Sequence, residues 1–252
     1  MTVLAAEGLC KSFGGVPAVR TLSFALAAGE MLALIGPNGA GKSTCFNILS
    51  GQLRPDAGRV RLAARDITGL APRRIWRLGI GRTFQIAATF ASMTVRENVQ
   101  LALLSHRHEA FRLWRPARRR HAAAADALLA PLGLADMADM AAGVLAYGDV
   151  KRLELAMAMA HAPRLLLMDE PTAGMAPAER TALMRLTRRL AAERNIAVLF
   201  TEHDMDIVFT VADRILVLHQ GALIAAGDAA SIRADARVRA VYLGSGATSG
   251  GH

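Results

Sequence analysis

Nine residues, GPNGAGKST at positions 36–44, constrain the fold more than any other stretch of this chain. They fit the pattern G-x-x-x-x-G-K-[ST] completely, with the apolar run MLALI before them and CFNILSG after them. A strand, a glycine-rich turn and a helix in that order give the pattern its physical meaning. Glycines let the turn curl so that successive amides point inward, and the helix N-terminus adds positive partial charge. Gly36, Pro37, Asn38, Gly39, Ala40 and Gly41 then form a cradle for phosphate oxygens, and Lys42, Ser43 and Thr44 close it. Lys42 is placed to neutralise the β- and γ-phosphates of ATP, and Ser43 to offer its hydroxyl to Mg²⁺. Lysine occurs only at Lys11, Lys42 and Lys151, while arginine supplies the rest of the 30 basic side chains. A generic surface role at position 42 would have suited arginine equally well.

A phosphate cradle of this kind calls for a carboxylate near the metal. RLLLMDE (164–170) supplies two, because four apolar residues end in Asp169 and Glu170. Asp169 at the strand end would hold Mg²⁺ through water, and Glu170 would accept a proton from the attacking water. IAVLFT (196–201) and RILVLH (214–219) are further short apolar runs, and 177–194 has a helical pattern. Nearly continuous apolar strands alternating with helices predict an α/β fold with a mainly parallel sheet covered on both faces. LSFAL (22–26) and RVRLAARDI (59–67) read as short antiparallel strands. Residues 101–143 read as a helical insertion, first basic (HRHEAFRLWRPARRR) and then alanine-rich, and GSGATSGGH at the end reads as a disordered tail.

With 53% hydrophobic residues the chain can bury a substantial core. Its apolar runs fall short of the roughly 20 residues a spanning helix needs. No basic segment followed by an apolar one opens the sequence, so no signal peptide is read. Two cysteines, Cys10 and Cys45, fit a reduced cytosolic protein. The net charge of +9 suits an arginine-rich solvated surface, with an anionic surface or nucleic acid as other partners of such a balance. The remaining histidines have no metal-ligand spacing, which leaves Mg²⁺ brought with ATP as the expected metal.

LAYGDVKRLELAMA (145–158) turns from small and polar residues into a helical run, and on residue type Asp149 looks like its N-cap. GPNGAGKST, GRTFQ with Gln85, LAYGD, LLLMDEPTAGM and TEHD with His203 follow one another in the order of an ABC-transporter ATPase subunit. The chain resembles that family over nearly its whole length. The resemblance implies a P-loop (RecA-like) core with an antiparallel β-subdomain and a helical subdomain at roughly 86–160. It implies one nucleotide-binding domain over 1–243 and a flexible tail at 244–252. By motif, Phe13 in KSFGG would stack on adenine, Gln85 would touch Mg²⁺ or the attacking water, and His203 would contact the γ-phosphate. Leu145, Ala146, Tyr147, Gly148 and Asp149 would face the ATP of a second subunit, in a homodimer or with a paralogue. The family alignment also moves the helix start from Asp149 to near Ala146. Ala146 and Ala176 depart from the family's usual serine and aspartate, which removes two polar groups from the dimer face.

LAYG, MTVRENV (93–99), EHDMDIV and VRAVYLG are similar to the larger ATPase subunit of branched-chain amino acid importers. That likeness implies two transmembrane permeases, an indirect periplasmic substrate-binding protein and a peripheral place on the cytoplasmic face of the inner membrane. No nucleic-acid partner is implied. Two alternatives stay open: an ATPase of the lipopolysaccharide-export type, and a soluble ABC ATPase outside transport. Against the second, the chain carries one cassette, and the interval from Gln85 to Leu145 is too short for a long coiled coil.

Overall fold

The structure, a computed structural model, describes residues 1–83, 89–106 and 121–244. Gln85, the arginines at 112, 115, 118, 119 and 120, and the tail from 245 onward lie outside the described residues.

The chain opens with β1 (Thr2–Phe13), β2 (Val16–Ala27) and β3 (Met31–Ile35), and the glycine loop leads into α1 (Lys42–Leu49). β4 (Ala57–Leu62), β5 (Arg65–Asp66), α2 (Pro72–Arg77) and β6 (Ile80–Thr83) follow. Then come α3 (Val95–His106), α4 (Ala122–Leu129), α5 (Tyr147–Met159), β7 (Leu165–Asp169), α6 (Pro177–Arg194) and β8 (Ala197–Thr201). α7 (Met205–Val211), β9 (Arg214–His219), β10 (Ala222–Gly227), α8 (Ala229–Ala234) and α9 (Ala236–Gly244) complete the described chain.

Among the described residues the strands form two sheets, one in the order β2-β1-β4-β5 and one in the order β10-β9-β3-β8-β7-β6. In the second, β9, β3, β8, β7 and β6 run parallel, and β10 returns antiparallel at the edge. The expected strands at 31–36, 164–170, 196–201 and 214–219 all fall in this sheet. Its two faces are both covered, because side chains alternate across a strand. Leu32, Leu34, Leu165, Leu167 and Leu199 pack toward α1 and the antiparallel sheet. Met31, Ala33, Ile35, Leu166, Val198 and Phe200 pack toward the helices on the other side. A fully buried leucine or phenylalanine contributes roughly 1.5–3 kcal/mol relative to exposure, so these two layers carry the stability of the sheet.

Three expectations need correction. The strand expected at 22–26 is not short: it lies within β2, and β1 and β2 each run 12 residues and form a long hairpin closed near Phe13 and Val16. The stretch 59–67 splits into β4 and β5, because Ala63 takes a positive φ of 52° at the turn. The alanine-rich part of the insertion is α-helical only over α4. Beyond it Pro131 sits in a 3₁₀ turn and Gly133 turns left-handed at φ 71°, which ends the α-helix despite the high helix propensity of alanine. Arg96 on α3 joins the insertion together by bonding both Asp126 and Asp139. The fully buried Asn98 accepts from Phe90 N at 2.8 Å and donates to Thr94 O at 2.9 Å, which fixes the lead-in to α3. No helix among the described residues is long and apolar enough to cross a membrane.

Candidate functional site

Parallel strands put their carboxyl ends on one edge of a sheet, and ligands of open α/β sheets bind at that edge. Here the glycine loop leaves β3, Asp169 and Glu170 end β7, and His203 follows β8, which lies between them. The fold thus brings three separate sequence motifs together.

In the loop, glycine is required at position 41. Its φ is 103°, and a Cβ there would come within 2.3 Å of Ala18 O on β2. The same contact seats the loop against the hairpin that carries Phe13. Phe13 is 48% exposed at the hairpin tip, with Lys11 Nζ 5.7 Å from its ring centroid. A flat apolar ring left in solvent is suited to stacking on a planar ligand. Gly39, at φ 77°, has open space where a side chain would be. Lys42 is buried, and its Nζ donates to Gly36 O at 2.7 Å and Pro37 O at 3.1 Å. Burial lowers its pKa, while Glu170 and Asp169 oppose that shift. Ser43 is exposed in the first turn of α1.

Asp169 already has partners on both oxygens. Thr201 Oγ1 donates to its Oδ1 at 2.8 Å, and Arg82 Nη2 lies 3.4 Å from its Oδ2. Glu170 stands in the left-handed region at φ 48°, a conformation that costs a non-glycine residue of order 1–3 kcal/mol. Its amide donates to Thr201 Oγ1 at 3.0 Å. Its Oε1 lies 2.8 Å from His203 Nε2. One threonine hydroxyl therefore sets both carboxylate residues at the end of β7. Behind them, buried Glu202 accepts from Thr172 N at 3.0 Å and Thr172 Oγ1 at 2.7 Å. Burial raises the pKa of Glu202 against those hydrogen bonds.

The donor set fits a nucleotide with Mg²⁺. The Gly41 contact holds the loop in its curl against β2, the Lys42 ammonium and the amides at the start of α1 supply positive charge for phosphates, and the Ser43 hydroxyl and the Asp169 carboxylate are donors suited to a hard cation. Because Asp169 is engaged by Thr201 and Arg82, it suits a water-mediated contact with the ion. The sequence motifs alone assign no role to Thr201, Arg82 or Glu202. A threonine closing an otherwise apolar strand, directly before EHD, was the available signal for Thr201.

The segment 145–149 belongs to the helical lobe. α5 starts with Ala146 as its N-cap, at φ −61° and ψ 151°, with no side chain capping its first amides. The alignment-based helix start at Ala146 therefore matches, and Asp149 lies inside the first turn, bonded to Arg152 at 3.3 Å. Tyr147 donates to Ala173 O at 3.1 Å, and Gly148 packs beside Glu179 of α6.

A glycine loop with a buried lysine, two carboxylates at the end of β7 on the same sheet edge and a helix at the loop exit define a P-loop ATPase. The family model "ABC transporter" matches residues 19–173, and "Branched-chain amino acid ATP-binding cassette transporter" matches 222–248. The chain belongs to the ABC transporter family, and its activity is ATP hydrolysis coupled to transport. It is 39% identical to the high-affinity branched-chain amino acid transport ATP-binding protein BraF of Pseudomonas aeruginosa, over 96% of this chain and 98% of that protein. It is 40% identical to LivG of Salmonella typhimurium over the same shares, and 38% identical to the lipopolysaccharide export system ATP-binding protein LptB of Acidithiobacillus ferridurans over 96% and 97%. Among solved structures, the ADP conformation of an ATP-binding cassette of an ABC transporter superposes with a TM-score of 0.86 at 33% identity, over 97% of this chain and 99% of that one.

Proposed function

We propose that this chain is the ATP-hydrolysing subunit of an importer for branched-chain amino acids or related small amides. The match of residues 222–248 to the branched-chain family model carries the choice of cargo class. Whole-chain identity does not, because BraF at 39% and LptB at 38% lie side by side. The partners would be a second ATPase subunit, identical or paralogous, two permeases, and a periplasmic binding protein reached only through them. The subunit would sit peripherally on the cytoplasmic face of the inner membrane, as one nucleotide-binding domain over 1–243.

Phe13 would stack on adenine, and residues 36–44 would hold the phosphates. Ser43, Asp169 and Gln85 would hold Mg²⁺, which neutralises charge on the β- and γ-phosphates when bound. Glu170 would take the proton of the attacking water, with His203 fixing the carboxylate through the 2.8 Å contact and reaching the γ-phosphate. The uncapped amides at the start of α5 would bind the γ-phosphate of ATP seated on the other subunit. Both subunits then grip the same two nucleotides, and loss of phosphate releases the grip. The opening would drive the permeases between their two access states.

Glu170→Gln in the assembled transporter should retain ATP binding and lose most hydrolysis and most leucine uptake. Hydrolysis at the wild-type rate would refute the assignment of the base. Hydrolysis by the unsubstituted transporter that no branched-chain amino acid or amide stimulates would refute the cargo.

A further inference from the structure

Tyr147 connects two segments that the proposed function uses for different nucleotides. It is the first residue of α5, directly after the uncapped Ala146, so it moves with the amides meant for the partner's ATP. Its phenol donates to Ala173 O at 3.1 Å. Its ring lies against Gly174, where a Cβ would meet Cε1 at 3.4 Å, and Gly174 has a φ of 80°. Lys151 Nζ stands 5.5 Å from the ring centroid, and that ammonium is buried with Glu154 Oε2 3.1 Å away. The ring is thus held by its own helix and reaches across to the core.

Ala173 is exposed, but its backbone is tied to the core. Its amide donates to Glu170 O at 3.1 Å, closing a turn over 170–173. Within that turn Thr172 is buried and bound twice to Glu202. A displacement at Ala173 therefore has little slack to absorb it before it reaches Glu170. Glu170 itself is held in a left-handed conformation where small backbone changes re-aim the carboxylate.

We infer that Tyr147 is a positioning residue linking the partner's ATP, bound at the start of α5, to the setting of Glu170 for this subunit's own ATP. This rests on the head-to-tail reading above. Binding of ATP at one site draws in the N-terminus of α5, and the phenol passes that movement to the turn that aims the base at the other site. The two sites then share a coupling free energy and hydrolyse ATP cooperatively.

The test compares wild type with Tyr147→Phe, which deletes one exposed hydroxyl and keeps the ring. Steady-state hydrolysis by the assembled transporter is measured against ATP concentration, together with the affinity of the isolated subunit for a fluorescent ATP analogue. The expected result is a fall in kcat of about three- to tenfold, the scale of one hydrogen bond, and a Hill coefficient falling toward one. Nucleotide affinity should not change and the melting temperature should fall by no more than the few degrees of one exposed hydrogen bond, whereas a purely structural role would move the melting temperature and leave cooperativity alone. A Tyr147→Phe variant with wild-type kcat and Hill coefficient overturns the inference, as does a wild-type Hill coefficient of one. Failure of the wild type to dimerise with ATP would instead overturn the head-to-tail reading.

Discussion

At the scale of single residues, the site depends on a hydroxyl more than its motifs suggest. Thr201 serves Asp169 and Glu170 at once. Thr201→Val keeps the shape and removes both bonds, leaving the Glu170 amide unsatisfied. We expect a loss of about 1–3 kcal/mol. For a chain of this size that is a drop in melting temperature of about 2–4 °C per kcal/mol, readable by calorimetry. Turnover at saturating ATP should fall as well, and an unchanged melting curve would show the hydroxyl to be dispensable. Glu202 gives a pH dependence of definite sign. Its carboxyl is pushed above the ordinary 4.5 by burial, so the native chain holds that proton more tightly than the unfolded one. The charged form costs stability above the raised pKa, and the cost is recovered as pH falls through it toward 4.5. Glu202→Gln keeps an acceptor for Thr172 and carries no charge. It should match or exceed wild-type stability near neutral pH, with the advantage vanishing on acidification in a denaturant series. A difference independent of pH would contradict the assigned cause. Cys45 needs no functional reading, since burial pushes its thiol up to about 12 and leaves it inert.

At the scale of elements, helix starts are where this chain departs from ordinary design. Ala176 caps α6 with N-cap dihedrals of −65° and 149° but offers no acceptor, although Pro177 and Glu179 stand where a capping box would want them. Ala176→Asp should therefore stabilise the isolated subunit by about 1 kcal/mol, seen as a higher melting temperature. No gain would mean that the first amides of α6 are already satisfied. The same reasoning explains what was legible beforehand. β3, β7, β8 and β9 announced themselves as apolar runs because both faces of the parallel sheet are buried. β6, reading IGRT, and β10, reading ALIAAG, lie at the two edges of the sheet; the first has a weak apolar signal, and the second is small-residue-rich and mostly half-buried. The phosphate loop and the acidic strand end were readable because local spacing alone defines them. The bonds of Thr201, Arg82 and Tyr147 were not, because each joins residues far apart in sequence. Asp149 misleads on residue type: its cap chemistry is real, but the chain enters the helix three residues earlier, at a residue with none.

At the scale of the whole molecule, the proposed function makes the phosphate cradle and the start of α5 two half-sites for two different nucleotides. The cradle is lined by its own lysine and carboxylates, while the amides after Ala146 have no side-chain cap. Exposed Ala146, Ala173 and Ala176 offer no polar side chain there, so on that reading closure would rely on backbone donors and close approach. Gly148 is the residue at which this dependence is most sharply tested. A Cβ there would meet Glu179 at 3.4 Å, an ordinary contact, and Glu179 is exposed and able to move aside. Gly148→Leu should therefore fold and bind ATP as a monomer with near wild-type affinity. Its side chain would still stand between the amides and the arriving phosphate. In a Glu170→Gln background, which should trap the ATP-bound dimer, light scattering with ATP should find dimers for the single variant and monomers for the double variant. In the hydrolysing background Gly148→Leu should lose turnover by two orders of magnitude or more, about 2.7 kcal/mol of transition-state stabilisation. Dimers in the double variant, or turnover surviving in Gly148→Leu, would make the start of α5 an ordinary surface helix and leave the cradle to bind ATP alone.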